Sequence, residues 1–435
     1  MQTTATPTDG GEAYLLNGEK LWCTNGPVAD VIVVMARTPS VVVGGRERKQ
    51  ITALIVERSM PGVECVHRCE FMGLKGIQNG VMRFTNVRVP KENVLWGPGL
   101  GLKLALITLN AGRLAIPAGC VGTAKRCLRI TRAWARERIQ WGQPIGRHEA
   151  IAVMIGEMAA TTFAMEAMVE LTSALVDRRT VDIRLEAAIA KLFCSEACWR
   201  IVNDTFQIRG GRGYETAASL RARGEPALPV ERILRDARIN LIIEGTSQIM
   251  RLFIAREALD AHLRTVGNLL DPSQSKGLRF VAVVRVATRY LRWIPAQWLG
   301  AWWGWSPPPR GMPRVLAGHL RYVKRTAHRL ALTLFLSAAR YQVRLAERQQ
   351  LLGRLVDIGG ELFAMIAACS KAASSARQAP SAAPAVELAD LFCRQARHRI
   401  ERTWRGVRRH TDRHSSQIAQ DVLDGRMAWL EDGIV

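Results

Sequence analysis

The chain has 435 residues, of which 48% are hydrophobic and 6% aromatic, and it carries a formal net charge of +23. This length allows two or three domains with several buried cores, and the composition is typical of a helix-rich soluble protein. The nine cysteines have no disulfide-like spacing, the N-terminal residues are polar, and no run of about 20 apolar residues occurs. The sequence therefore predicts no disulfide framework, signal peptide or membrane-spanning helix, and it suits a reducing compartment.

The positive charge is concentrated in the last part of the chain. Residues 1–264 carry a net charge of +9, whereas the shorter segment 265–435 carries +14. Within that segment, residues 272–354 contain 15 basic residues and a single acid, Glu347. A region of this kind attracts phosphates, either of nucleic acid or of an anionic membrane surface.

Residues 12–95 are predicted to form a small β domain. They alternate between apolar and polar types, are rich in Val, Ile and Thr, and are interrupted by glycine-containing turns. The clearest predicted strands are Ala29–Ala36, Gln50–Glu57 and Val81–Val89. Cys65 and Cys69 lie in a strand-like segment, and no second pair is near enough to complete a metal site, so we interpret them as reduced thiols.

From residue 101 onward the apolar residues recur with the 3.6-residue period of helices. Long helices are predicted at 101–137, 147–178, 184–208, 229–242 and 246–266. After a linker at 271–277, further helices are predicted at 278–294, 315–350, 351–377 and 384–409, with a stiff turn at 306–311. The predicted fold class is α+β and mostly α, with a small β domain (1–98), a long-helix bundle of four-helix type (99–268) and a second helical domain (269–435).

The segment Leu241–Met250 carries the chemistry. Glu244 follows three aliphatic residues and precedes a glycine, and a carboxylate among apolar neighbours has a raised proton affinity that suits a general base. Thr246 or Ser247 is expected to cap the helix that follows. On local sequence alone, an ordinary helix-loop-helix corner with a solvated glutamate is the favoured interpretation, so the assignment of a base depends on the rest of the chain.

Five stretches, in this order, resemble the acyl-CoA dehydrogenase family. They are Leu15–Gly26, with the pattern Asn-Gly-x-Lys-x-Trp-x-Thr-Asn-Gly; Leu109–Arg113, with Asn-x-Gly-Arg; Glu137–Ile145, with Glu-Arg-x-x-Trp-Gly; Gln207–Tyr214, with Gln-Ile-x-Gly-Gly-x-Gly-Tyr; and Ile243–Thr246, with Ile-Glu-Gly-Thr. Each alone has an ordinary structural explanation, but five in family order are highly specific. The region to residue 435 resembles the extra C-terminal domain of the very-long-chain branch in size and character.

The resemblance implies FAD as the cofactor and a homodimer. Trp22 and Thr24 would lie at the flavin ring, with the Thr24 hydroxyl near N5, and Arg138 would meet the pyrophosphate from the neighbouring subunit. The remaining cofactor positions implied by the family are Gln140, Trp141, Gln207, Gly210, Gly211, Thr246 and Gln248. A guanidinium and free glycine-loop amides are also the groups that a pyrophosphate requires.

The resemblance assigns the catalytic base to Glu244. In some branches the base instead precedes the arginine of the Gly-Arg motif, and that position is Gly112 here. Glu244 would remove the α proton of an acyl-CoA thioester while the β hydrogen leaves as hydride, giving a trans-2-enoyl-CoA, with electrons passing on to an electron-transfer flavoprotein. The implied substrate-binding positions are Asn110, Arg113, Ile243 and Gly245.

One departure qualifies the resemblance. The family's N-terminal helical domain and its Thr-Glu-Pro-x-x-Gly-Ser-Asp strand are not found, so we expect a truncated middle β domain with unpaired strand edges. Both contribute to the flavin site, so an inactive truncated product is an open alternative. Acyl-CoA oxidase and a DNA-binding homologue are the others, although nucleic acid suits the tail less well than lipid.

The tail has a feature of its own. Five tryptophans lie near several arginines at Trp293, Trp298, Trp302, Trp303 and Trp305. Tryptophan favours membrane interfaces and arginine favours anionic head groups, so peripheral binding to an anionic membrane is predicted, with packing against the bundle as the alternative. The expected location is the cytoplasm, with contact to the inner membrane, or the mitochondrion in a eukaryote.

Overall fold

The computed structural model describes residues 2–178, 182–267, 276–303, 311–378 and 383–433. The chain divides into two compact units, one formed by 1–115 and 210–240 and the other by 116–209 and 241–435. A small sheet is followed by long helices, so the predicted α+β, mostly helical fold class is confirmed. The boundaries of the three predicted domains stay a prediction.

The first unit contains a seven-stranded sheet with the order β5-β6-β2-β1-β3-β4-β7. Its strands are β1 (Thr4–Thr8), β2 (Ala13–Thr24), β3 (Val31–Val43), β4 (Arg46–Glu57), β5 (Val63–Arg68), β6 (Asn79–Pro90) and β7 (Val94–Leu95). Every pair is antiparallel except β1 with β3, which meet in parallel at Thr4 and Arg37. Alternate residues such as Leu16, Leu54 and Phe84 form the core, as the period-2 pattern predicted.

The helices are α1 (Gly101–Glu137), α2 (Glu149–Asp177), α3 (Arg184–Arg209), α4 (Gly211–Tyr214), α5 (Ala217–Ala222), α6 (Val230–Arg238), α7 (Ser247–Gly267), α8 (Lys276–Trp303), α9 (Arg314–Tyr341), α10 (Gln349–Gln378), α11 (Ala383–Arg408) and α12 (Asp412–Leu423). A two-residue hairpin, β8 (Ile139–Gln140) with β9 (Gln143–Pro144), lies between α1 and α2.

Within the second unit, α10 packs against α2, α7, α9 and α11, so the C-terminal helices share a core with the bundle. That core joins Leu192 of α3, Met250 and Ile254 of α7, and Leu352 and Val356 of α10. By length and composition, α1 and α2 could each cross a membrane. Buried core helices pass the same test, and α2 packs on α3, α10 and α11, which accounts for its apolar residues.

Several predicted boundaries were wrong. Helix α8 continues through Pro295 to Trp303, beyond the predicted residue 294. The helix predicted to run from 315 to 350 ends at Tyr341, because Gln342 has a φ of 47° and cannot continue it. Helix α12 was not predicted, and the linker residues 271–275 and turn residues 306–310 lie outside the described part of the chain.

Candidate functional site

Glu244 lies in a tight turn of the second unit, between a short 3-10 helix that ends at Leu241 and the start of α7. The backbone is left-handed at both turn residues, with φ of 54° at Glu244 and 96° at Gly245. This conformation costs a residue with a Cβ free energy, and such strain is concentrated at functional sites. Glu244 is half-buried, and its Oε2 is fully buried without a hydrogen-bond partner among the described residues. This oxygen therefore has acceptor capacity that no described residue uses, which a general base requires.

Thr246, and not Ser247, caps α7. Its Oγ1 accepts a hydrogen bond from the Ile249 amide at 3.3 Å, and its carbonyl accepts from the Met250 amide at 2.8 Å. Met250 is buried, and a Cβ added to Gly245 would lie 2.9 Å from its Sδ. Gly245 is therefore required both by its φ and by this close approach.

Two further predicted positions flank this turn. Ile243, predicted to bind substrate, and Gln248, predicted to bind FAD, are both exposed. The side chains beside the base are thus accessible, whereas Met250, one turn into α7, anchors the helix in the core.

A buried lysine that the sequence analysis did not single out holds the same turn. Lys191 of α3 is 0% exposed, and its Nζ donates a hydrogen bond to the Gly245 carbonyl at 2.7 Å. Its neighbours along α3, Ala190 and Leu192, are both buried. A single lysine inside a buried helical run was the available signal, because a fully buried ammonium needs an acceptor.

In the first unit, a bulge at the end of β2 presents Trp22 and Thr24. The register with β6 shifts between Lys20 and Cys23, and Trp22 has a φ of 57° with its side chain 65% exposed. Asn79 of β6 donates from Nδ2 to the Thr24 Oγ1 at 3.0 Å. Because this oxygen accepts from Asn79, the Thr24 hydroxyl hydrogen is directed to another acceptor. The sequence analysis did not identify Asn79, because an asparagine followed by a glycine is typical of a turn.

The β8–β9 hairpin of the second unit presents Arg138, Gln140 and Trp141. Trp141 and Gly142 both have positive φ, of 45° and 78°, as in the two-residue turns that suit hairpin twist. His148 fixes the loop, because its Nε2 lies 3.0 Å from the Gln140 carbonyl and its ring meets Trp141 edge-on at 5.5 Å. Arg138 and Gln140 are exposed, and Trp141 is 90% exposed.

Gln207 lies near the end of α3 and is exposed, while the next residue, Ile208, accepts a hydrogen bond from Trp134 Nε1 of α1 at 3.1 Å. In the first unit, Gly210 has a φ of 60° and a ψ of −140°, a conformation open only to glycine. A Cβ added to Gly210 or Gly211 would meet nothing within 4 Å, so both glycine backbones face open space.

The two predicted substrate positions on α1 differ in character. Arg113 is buried, with 7% of its surface exposed, so its guanidinium does not lie in open solvent. The side chain of Asn110 lies outside the described part of the structure.

Three protein-family models match this chain. Residues 1–87 match the family model of the acyl-CoA dehydrogenase middle domain, and residues 99–259 match that of the acyl-CoA dehydrogenase C-terminal domain. The chain belongs to the acyl-CoA dehydrogenase family. Residues 320–427 match the ACAD9/ACADV C-terminal domain, which agrees with the resemblance to the very-long-chain branch.

Relatives and solved structures agree with this assignment. A probable acyl-CoA dehydrogenase, FadE10, of Mycobacterium tuberculosis is 49% identical over 100% of this chain and 66% of its own length. The human mitochondrial very long-chain specific acyl-CoA dehydrogenase is 33% identical over 92% of this chain and 59% of its own. The crystal structure of a Bacillus anthracis acyl-CoA dehydrogenase complexed with FAD matches 93% of this chain and 65% of its own, with a TM-score of 0.73 and 28% identity.

The chain thus spans less than two thirds of the length of these proteins, between 59% and 66%. The activity, substrates and partners of the whole family member are therefore proposals for this chain.

Proposed function

We propose that the chain carries the base and most of the cofactor contacts of an FAD-dependent dehydrogenase that converts long- or very-long-chain acyl-CoA to trans-2-enoyl-CoA. The observation that supports this most directly is the Glu244 turn. The position that the resemblance assigns to the base holds a glutamate in a left-handed conformation, with a buried oxygen that lacks a partner among the described residues. Strain and an unsatisfied acceptor both lower stability, and a catalytic role accounts for them.

Glu244 removes the α proton of the thioester in this proposal. An α proton is a weak acid, so its removal needs hydrogen-bond donors at the thioester oxygen as well as a base held in place. The Oε2 without a partner among the described residues would accept that proton, and the exposed Ile243 is a side chain that would contact the acyl chain. The Thr246 cap keeps the turn attached to a rigid helix.

The residues fit FAD as the family implies. Gly210 and Gly211 have open space where a Cβ would stand, Arg138 offers an exposed guanidinium, and Thr24 keeps its hydroxyl hydrogen for an acceptor. These groups, with Trp22, Gln140, Trp141, Gln207, Thr246 and Gln248, would hold the cofactor. When bound, FAD would accept the β hydrogen as hydride.

Substrate and partners follow from the family. Asn110 and Arg113 would face the CoA arm, and Gly245 would lie beside the thioester. The long-chain preference is supported by the human relative and by the ACAD9/ACADV C-terminal domain match. A homodimer is supported by Trp141 on the β8–β9 hairpin, because its large apolar ring is exposed and tryptophan is enriched at protein–protein interfaces. Electrons would pass to an electron-transfer flavoprotein.

An absorbance spectrum of the purified chain tests cofactor and chemistry together. We expect a flavin spectrum that palmitoyl-CoA bleaches in the absence of oxygen. Re-oxidation by an electron-transfer flavoprotein, without oxygen consumption, would distinguish a dehydrogenase from an acyl-CoA oxidase. A chain that binds FAD but is not bleached by palmitoyl-CoA would contradict the proposal.

We also propose peripheral binding of the tail to an anionic membrane surface. Trp298 and Trp302 of α8 are exposed, Trp302 by 69%, and their rings lie 6.0 Å apart. Arg289 and Arg292 are exposed on the same helix. Exposed tryptophans and arginines on one helix suit the interface between head groups and acyl chains.

The packing alternative applies to another tryptophan of α8. Trp293 belongs to an aromatic cluster with His262, Tyr290 and Phe335, and its ring centroid lies 5.3 Å from that of Phe335. The side chains of Trp303 and Trp305 lie outside the described part of the structure.

Vesicle flotation separates the two roles. We expect the chain to bind vesicles that contain phosphatidylglycerol at low ionic strength and to be released by salt. Replacement of Trp298 and Trp302 by serine should weaken the binding, whereas Trp293→Phe should leave it unchanged. Absence of binding at low ionic strength would contradict the proposal, and binding to DNA instead would favour the nucleic-acid alternative.

A further inference from the structure

Lys191 is a fully buried ionisable residue of the second unit that the proposed chemistry does not use. Its side chain is completely removed from solvent, and its Nζ lies 2.7 Å from the Gly245 carbonyl oxygen. Burying an ammonium is costly unless it is well hydrogen-bonded. A methionine would fill similar space without that cost, so packing alone does not account for a lysine here.

The turn that Lys191 contacts is one that needs support. Glu244 and Gly245 have φ values of 54° and 96°. Glycine adopts a positive φ readily, but this conformation costs free energy at Glu244, which has a Cβ. The cap at Thr246 fixes the chain after the turn, and the buried Met250 packs against Gly245. The carbonyl that accepts from Lys191 belongs to the residue directly after the base.

Lys191 is itself held rigidly. Leu192, Cys194 and Ser195, its neighbours on α3, are buried, so the lysine stem projects from a helix that cannot shift easily. One turn further along, Glu196 of the same helix forms an ion pair with Arg251 of α7 at 2.9 Å. Helix α3 therefore contacts both the turn and α7, each through one charged side chain.

We propose that Lys191 is a positioning residue, which sets the place of the Glu244 carboxylate by holding the Gly245 carbonyl through a charge-assisted hydrogen bond. The role rests on the proposed function, in which Glu244 is the base. It requires no covalent step, because a hydrogen bond from Nζ to the Gly245 carbonyl is enough to hold the turn. Displacement of a reacting group by about 1 Å lowers rates by about 100-fold. Loss of the hydrogen bond is therefore expected to slow proton removal without altering the acyl-CoA pocket.

Lys191→Met in the full chain, reconstituted with FAD, is the direct test. It keeps nearly the same side-chain volume and removes the donor. Thr205→Val is the matched control, because Thr205 is buried on the same helix and contacts Thr131 at 3.2 Å, away from the turn. Lys191→Gln, which keeps a donor without the charge, serves if the methionine variant does not fold, and it is expected to give an intermediate effect.

Amide hydrogen exchange gives the readout that is independent of activity. Without substrate, Lys191→Met should exchange faster across residues 242–250 and not across the β8–β9 hairpin, whereas Thr205→Val should leave residues 242–250 unchanged. In anaerobic single turnovers with palmitoyl-CoA, the maximal bleaching rate should fall about 100-fold with little change in the half-saturating concentration.

The outcomes are distinct. Unchanged exchange across residues 242–250 in Lys191→Met would overturn the proposal, and so would faster exchange with an unchanged maximal rate. An equal loss of rate in Thr205→Val would also overturn it, since the effect would then be general destabilisation. If the wild-type chain is not bleached at all, the proposed function fails, and the exchange experiment still decides whether Lys191 holds the turn.

Discussion

Glu244 is predicted to lower the stability of the protein. A residue with a Cβ in the left-handed region costs about 1–2 kcal/mol, and a buried acceptor without a partner costs about 1–3 kcal/mol. Glu244 has both features, with a φ of 54° and an Oε2 that lacks a partner among the described residues. Glu244→Gly removes both costs, against about 0.5–1 kcal/mol for the greater freedom of glycine in the unfolded chain. We therefore expect a net stabilisation of about 2 kcal/mol.

Differential scanning calorimetry measures this effect. A gain of about 2 kcal/mol in a large unit should raise the melting temperature by roughly 4 °C. Glu244→Ala removes the unpaired oxygen and keeps the strained backbone, so it should fall between wild type and Glu244→Gly. Gln342→Gly is the matched control for strain alone, because Gln342 is exposed and has a φ of 47°. A Glu244→Gly chain no more stable than wild type would refute the reasoning that the base is held under strain.

Three other predictions concern the contacts around the site and in the C-terminal helices. Asn79→Ala should weaken FAD binding between about twofold and tenfold in a fluorescence titration, since Thr24 loses a hydrogen bond of about 0.5–1.5 kcal/mol; unchanged affinity would contradict the role of Asn79. Arg251→Met should lower the free energy of unfolding in urea by about 1–2 kcal/mol, because Glu196 and Asp357 both lose their cationic partner; an unchanged free energy of unfolding would contradict this. Burial lowers the pKa of His319, so the folded protein keeps this ring neutral while the unfolded chain takes up a proton near pH 6.5. The contribution of the neutral ring to the free energy of unfolding should be fully present above that pH and be lost as the pH falls through the lowered pKa. His319→Gln should therefore make the melting temperature depend less steeply on pH between pH 8 and 5. A pH dependence as steep as that of the wild type would contradict this.

The sequence predicted much of the fold because its patterns are local. Helices α1, α2, α3 and α7 were placed within two residues at each end, since period 3.6 is uninterrupted there. Helix α9 was predicted too long because the apolar pattern continues past Tyr341, and a single backbone angle at Gln342 ends it.

Within the candidate site, the motif positions were predicted and their supports were not. Glu244 and Thr24 belong to contiguous motifs, which a single sequence displays. Lys191 and Asn79 act through contacts 54 and 55 residues away in the chain, and only the folded structure brings them to those motifs. Whether a buried lysine has an acceptor is decided by tertiary packing, which no local pattern records.

The sequence likewise did not predict which of the tryptophans are exposed. A tryptophan at position 22 of a predicted strand is typical of a core residue, yet Trp22 lies in the β2 bulge and its side chain is exposed. Trp293 and Trp298 belong to one cluster in the sequence, but Trp293 packs against Phe335 while Trp298 is exposed. A difference of five positions on a helix places side chains on different faces, and the partner helix decides which face is covered.

The rate of anaerobic flavin bleaching by palmitoyl-CoA in Glu244→Gln tests the central claim most directly. Glu231→Gln is the matched control, because Glu231 is another glutamate with a buried Oε2 that lacks a partner among the described residues. The account predicts that Glu244→Gln keeps the fold and FAD but loses bleaching almost completely, while Glu231→Gln bleaches at the wild-type rate. A Glu244→Gln chain that is bleached as fast as wild type would contradict it.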